Sequence, residues 1–171
     1  MRTLLLLRHA KSDWKRQTSG DFDRPLNRRG RNNAVHVGQW MKQHHLHPDR
    51  VICSPALRTR ETLQLLRSKL DIPDACIHFD DRAYLADAQT LSTILTRCPH
   101  DINTVLLIGH NPGMELLLEY LCGSDIPLSE KGKLMPTATL AQIALRDDWR
   151  ALCAGAGKLI KITRPGELTR T

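Results

Sequence analysis

Aromatic residues make up only 4% of the 171 positions, and no helix-turn-helix, zinc-finger or RNA-binding signature is present. Lys and Arg outnumber Asp and Glu by 25 to 18, an excess that draws anionic partners by long-range steering. The basic residues are spread along the chain, however, so nucleic acid is not the expected partner. Long apolar runs are missing as well. Leu4-Leu5-Leu6-Leu7 is cut off by Arg8-His9, which is too short for a signal-peptide core or a membrane span. A cytoplasmic protein with no membrane partner is therefore expected. The five cysteines, Cys53, Cys76, Cys98, Cys122 and Cys153, form no C-x-x-C pair and have no histidine at zinc-ligand spacing. They read as buried thiols. His36, His44, His45 and His47 fall on or just after a polar helix without a carboxylate or cysteine at fixed spacing, so no metal site is expected.

Repeats, low-complexity tracts and linkers are also absent, and the length suits one domain. That domain is expected over residues 1–163, with 164–171 as a frayed tail. What is present is an alternation of short apolar runs with helix-length periodic stretches, which argues for an α/β fold. Strands are predicted at 3–7, 50–53, 76–79, 104–108, 140–145 and 157–162. Their unbroken apolar character suits a covered, largely parallel sheet. Helices are predicted at 27–44, 55–70, 88–97 and 112–121. Ser54 before Pro55 and Asn111 before Pro112 read as N-caps ahead of a proline in the first turn.

In open α/β sheets ligands bind beyond the carboxyl ends of the strands, where helix N-termini offer free N–H groups. Three predicted strand ends carry unusual polar residues. The first runs into Arg8-His9, the second into Cys53-Ser54-Pro55 with Arg58 one turn on, and the fourth into Gly109-His110-Asn111-Pro112. Brought together, two arginines, two histidines and two helix starts would hold a compact dianion, because guanidinium forks bind phosphate oxygens in pairs. A neutral imidazole among them could attack phosphorus and form a phosphohistidine, dividing one hard transfer into two easier ones.

These residues resemble a known family. Leu6-Leu7-Arg8-His9-Ala10, Ser54-Pro55-Ala56-Leu57-Arg58-Thr59-Arg60-Glu61-Thr62 and Ile108-Gly109-His110-Asn111-Pro112 look like the three ordered signatures of the histidine phosphatase superfamily. Arg8 to Trp14, Pro25-Leu26-Asn27-Arg28-Arg29-Gly30 and Met135-Pro136-Thr137-Ala138 look closest to its small SixA-type phosphohistidine phosphatases. The resemblance covers nearly the whole chain. It implies a phosphoglycerate mutase-like fold, a single-domain mixed and mostly parallel sheet flanked by helices, with no metal or organic cofactor. It also implies that His9 is the nucleophile, that Arg8 and Arg58 bind the phosphoryl group, and that His110 bonds its oxygens. Lys11, Ser12 and Asn111 are further candidates for phosphate contact. One departure from the pattern is Ala10, where the family usually has glycine.

The resemblance also bears on the substrate. An alkoxide leaving from an ester benefits from a positioned carboxylic acid, whereas a protonated imidazole leaves more readily. Family members acting on esters tend to carry a Glu in the stretch that here reads Asp80-Asp81-Arg82-Ala83-Tyr84-Leu85-Ala86-Asp87. Asp81 and Asp87 are the candidate acids, although a carboxylate at a helix start commonly serves as a cap. The expected substrate is therefore a phosphohistidine protein, with small phosphorylated metabolites as the alternative and a non-catalytic phosphate-binding module as a third reading. Asn27 is expected to cap its helix, and Glu61 and Thr62 to support Arg58. Activity is expected to fall as His9 protonates through the histidine range.

Overall fold

The computed structural model of the chain describes residues 1–168. Six strands form one sheet: β1 (Arg2–Arg8), β2 (Arg50–Cys53), β3 (Ile77–Phe79), β4 (Thr104–Gly109), β5 (Leu140–Leu145) and β6 (Gly157–Thr163). Their order is β3-β2-β4-β1-β5-β6. The first four run parallel, while β5 and β6 are antiparallel additions beyond β1. Four helices cover the sheet: α1 (Arg28–Gln43), α2 (Leu57–Arg67), α3 (Ala88–Leu95) and α4 (Gly113–Cys122).

The leucine run of β1 explains why the sheet is covered on both faces. Successive strand residues point to opposite sides, so Leu5 and Leu7 enter the core with Val37 and Met41 of α1 and Leu63 and Leu66 of α2. Leu4 and Leu6 enter a second core with Leu91 and Leu95 of α3 and Leu117 and Leu121 of α4. Burying one such side chain is worth about 1.5–3 kcal/mol. Four consecutive leucines therefore tie both helical layers to the central strand.

Several boundaries differ from the sequence expectation. Asn27 does cap α1, its side chain accepting from Gly30 N–H at 2.8 Å. Helices α2 and α4 start later than predicted, at Leu57 and Gly113, and neither has a side-chain N-cap bond. Ser54 and Asn111 are drawn elsewhere, as described below. Cys76 closes a single 3-10 turn before β3 instead of opening the strand. Cys53 and Cys98 are buried, but Cys76 and Cys122 are half-buried and Cys153, in the turn before β6, is exposed. Of the segment expected to fray, Arg164 is buried with its guanidinium on the carbonyls of Pro127 and Leu134, and Leu168 packs into the core. Residues 169–171 of that segment lie outside the described residues. Among the described residues no helix is long and apolar enough to cross a membrane.

Candidate active site

The parallel register brings the three polar strand ends to one edge. Arg8 pairs with Gly109 across β1 and β4, and Cys53 with Ile108 across β2 and β4. The next residues along, His9, His110 and Ser54, therefore emerge side by side. His9 N–H donates to Gly109 O and Ser54 N–H to Ile108 O, each at 3.1 Å. The two imidazole centroids lie 5.2 Å apart, with His9 7% and His110 3% exposed.

A turn from the far side of β1 completes this edge. Ala138 adopts φ 61°, a left-handed conformation that costs a non-glycine residue on the order of 1–3 kcal/mol. In that conformation its N–H donates to the carbonyls of both Arg8 and His9 at 3.1 Å, while Thr139 O accepts from Arg8 N–H at 3.1 Å. Just before it, Met135 O accepts from Arg8 Nη1 at 2.8 Å and from Asn111 Nδ2 at 3.2 Å. Met135 N–H in turn donates to Glu115 of α4 at 2.9 Å. Asn111 is thus engaged with Met135 instead of capping α4, and its Oδ1 is buried without a partner.

His9 is held in one tautomer. Its Nδ1 lies 2.7 Å from Ala10 O, a contact that requires Nδ1–H and leaves the lone pair on Nε2. Burial is the main force lowering its pKa to about 3; the Ala10 bond opposes the shift, while His110, Arg58 and Arg8 add to it. His110 is lowered to about 3 as well, by burial first and then by Arg58. Both rings are neutral at pH 7. His110 Nε2 lies 2.7 Å from Ser54 Oγ, and its Nδ1 is buried without a partner. Ala10 does not adopt a left-handed φ, and its methyl is fully buried in the core. An alanine is therefore accommodated where the family pattern has glycine.

Arg58 is 2% exposed. Thr62 supports it as expected, donating to Arg58 O at 2.6 Å and accepting from Ala10 N–H at 3.1 Å. The Glu61 carboxylate is directed elsewhere, accepting from Leu26 N–H at 2.6 Å and pairing with Arg31. The partner of Arg58 is Asp21, a residue the sequence reading did not single out. Arg58 Nη1 donates to Asp21 O at 2.7 Å and Nη2 to Asp21 Oδ2 at 2.9 Å. Arg24 donates to Asp21 Oδ1 at 2.7 Å and Tyr84 to Oδ2 at 2.6 Å. Burial pulls the Asp21 carboxyl upward, but the bonds from Tyr84, Arg24 and Arg58 outweigh it and hold it well below the usual carboxylate range. Tyr84 also stands edge-on to His110, with centroids 5.5 Å apart.

The remaining candidates are less central. Ser12 is buried, but its hydroxyl accepts from Arg24 Nη1 at 2.6 Å. Lys11 is exposed and lines a cleft together with Arg8. Asp87 caps α3 through Thr90 N–H at 2.8 Å, the commoner role for such a carboxylate. Asp81 opens a 3-10 turn, and its backbone carbonyl accepts from Tyr84 N–H. The structure thus gathers His9, Arg8, Arg58, His110 and Asn111 at one edge and places Asp21, Arg24, Tyr84 and Ser54 among them. A signal for Asp21 was available in the sequence: it lies in the long irregular stretch directly after the predicted His9 strand, and functional loops tend to be of that length.

Comparison with known proteins agrees with this geometry. Residues 4–82 match the model of the histidine phosphatase superfamily (branch 1). An uncharacterised chloroplastic protein of Arabidopsis thaliana is 36% identical over 135 residues, covering 74% of this chain; the chain spans 62% of that protein's length. The phosphohistidine phosphatase SixA of Escherichia coli is 24% identical over 143 residues, covering 83% of this chain and 84% of its own. A solved structure from Agrobacterium tumefaciens, provisionally named phosphohistidine phosphatase SixA, superposes with a TM-score of 0.82 at 30% identity, covering 96% of this chain and 98% of that one. With the ordered motifs, the strand-end geometry and the overall fold in agreement, the chain belongs to the histidine phosphatase superfamily, in its SixA-type branch.

Proposed function

We propose that this protein is a phosphatase that takes a phosphoryl group onto Nε2 of His9 and passes it to water, and that its substrate is phosphohistidine on proteins. In the first half-reaction His9 Nε2 attacks phosphorus as the P–N bond of a substrate phosphohistidine already protonated on its other ring nitrogen breaks, and the substrate imidazole leaves neutral with that proton. In the second, water attacks, the bond to His9 breaks, and inorganic phosphate leaves. Phosphorylation of Nε2 puts positive charge on the His9 ring, which strengthens the bond from Nδ1–H to Ala10 O. Arg8 and Arg58 carry the charge on the phosphoryl oxygens, and the unpartnered Nδ1 of His110 offers a further contact.

The observation that carries the choice of substrate is the state of Asp21. It is the carboxylate bonded directly to Arg58, and three donors hold it as an anion. An anion cannot protonate a departing alkoxide, so ester hydrolysis lacks its acid there. Phosphohistidine does not need one.

The test compares the purified protein with its His9→Ala variant on a phosphohistidine protein, a phosphoserine peptide and an aryl phosphate. Fast His9-dependent loss of phosphohistidine, with little action on phosphoserine, is expected. Equal or faster ester hydrolysis would instead mark a general phosphomonoesterase. Absence of His9-dependent turnover on all three would leave a phosphate-binding module.

A further inference from the structure

A cleft of about 560 Å³ opens beside Arg8. Neither His9 nor Arg58 lines it; Arg8 is the residue it shares with the proposed phosphoryl site. Its walls come from the strand end with Lys11, the first turn of α1 with Arg29, the turn carrying Lys131 and Lys133, and residues 164–167. Among the described residues, none of Arg8, Lys11, Arg29, Lys131 and Lys133 takes part in an ion pair. Glu167 is engaged, its carboxylate accepting from Arg164 N–H at 3.2 Å. Glu130 and Glu167, both exposed, are the carboxylates opposing the five cations of the lining named above.

The lysine-bearing turn is a built feature. Ser129 N–H donates to Lys133 O at 2.9 Å, Gly132 N–H to Ser129 O at 2.8 Å, and Lys133 N–H to Ser129 Oγ at 3.0 Å. Arg164 bonds to the carbonyls of Pro127 and Leu134 on either side of it. Lys131 and Lys133 are thus presented from a closed turn fastened at both ends.

From this arrangement we infer that the cleft binds acidic side chains flanking the phosphorylated residue of a substrate protein, held in register with a phosphoryl group at Arg8. This inference rests on the phosphohistidine-protein reading above and extends it to the sequence around the modified residue. Lys11, Lys131 and Lys133 are exposed ammonium groups on flexible stems, suited to carboxylates of variable position, unlike the buried fork of Arg58 that suits one fixed dianion. Among the described residues no aromatic side chain lines the cleft, so single-stranded nucleic acid would find there no surface on which to stack its bases.

The test measures binding and is independent of turnover. Two fluorescent peptides carry a non-hydrolysable phosphonate mimic of phosphohistidine, one flanked by three glutamates and the other by three glutamines. Their Kd values are measured against the full chain and against a Lys131→Gln/Lys133→Gln variant. At low salt the wild type should prefer the acidic peptide by roughly tenfold. The preference should shrink as salt rises, since exposed charges are screened beyond about 8 Å at physiological ionic strength. The double variant should lose most of the preference and bind the glutamine peptide unchanged, with an unaltered melting curve. Equal affinities in the wild type, or an equal loss for both peptides in the variant, overturns the inference. So does displacement of the acidic peptide by oligothymidylate at concentrations matching the peptide's own Kd. If the phosphatase reading fails, it fails in the hydrolysis assay with His9→Ala; the peptide preference is a separate result.

Discussion

Arg8 and Arg58 flank the same imidazole in different surroundings. Arg58 is buried, with both Nη groups on Asp21 and its aliphatic stem on a helix that Thr62 ties to the His9 turn. Arg8 is half-buried, makes one bond to Met135 O, and faces an open basic cleft. On the Arg58 side Asp21 bonds Arg58, Arg24 and Tyr84 at once, which orients the guanidinium before any ligand arrives. The Arg8 side has cations to offer. One side of His9 is thus a buried, partnered network and the other an open basic cleft, although both are built on the same residue type.

The sharpest way to break this arrangement is to remove its centre. His9→Ala should lower phosphohistidine turnover by at least about 10⁴-fold, the scale on which loss of a nucleophile is felt. A residual rate within tenfold of wild type, in assays of the purified variant, would show that His9 is not the attacking group.

Asp21→Asn probes the closed side. Freed from its carboxylate, Arg58 loses its fixed orientation, and misplacement of a positioning group by an ångström costs on the order of a hundredfold. The loss should fall on kcat more than on KM. Tighter binding of inorganic phosphate to the variant, with kcat unchanged, would show instead that Asp21 competes with the phosphoryl group for Arg58.

Acid pH distinguishes a buried from an exposed nucleophile. An imidazole of ordinary pKa 6.5 would cost roughly thirtyfold in kcat/KM at pH 5. With His9 and His110 lowered to about 3, chiefly by burial, kcat/KM should stay flat to pH 5 and fall below it. This displaces the acid limb from the histidine range that the sequence suggested. Stability follows the same two groups. Because their folded pKa values lie below the unfolded one, the unfolded chain binds more protons between pH 6.5 and about 3. Their contribution is complete above 6.5 and is lost as pH falls toward 3. A thermal melt series should show Tm declining on acidification, and His110→Asn should flatten that decline.

The mildest test concerns how the two sides are joined. A Cβ on Gly30 would lie 2.0 Å from Lys11 O, where the first turn of α1 presses on the chain leaving His9. Gly30→Ala should cost about 2 kcal/mol, or roughly 6 °C in Tm for a chain of this size. Affinity for the acidic peptide should fall more than affinity for the neutral one. An unchanged Tm would mean that the loop yields freely at this contact.

Much of this molecule was legible in local pattern. The six strands and four helices, the capping of α1 by Asn27 and the strand-end positions of Arg8, His9 and His110 all follow from signals within a few residues of each other, because hydrophobic period and turn chemistry are local properties. Where a local signal met a tertiary competitor, the competitor prevailed. Ser54 turns to His110 and Asn111 to Met135 instead of capping helices, since a buried polar partner is worth more than a cap that backbone and solvent can replace. The pairing of Asp21 with Arg58, 37 positions away, and the meeting of Lys11, Arg29, Lys131 and Lys133 around one cleft were beyond such signals. The sequence by itself determined the sheet and the strand-end positions of the candidate site residues on it. Only the tertiary structure decided which tautomer His9 holds, which carboxylate attends Arg58 and where the free cations converge, because burial and long-range contact are set by the packing of segments that lie far apart along the chain.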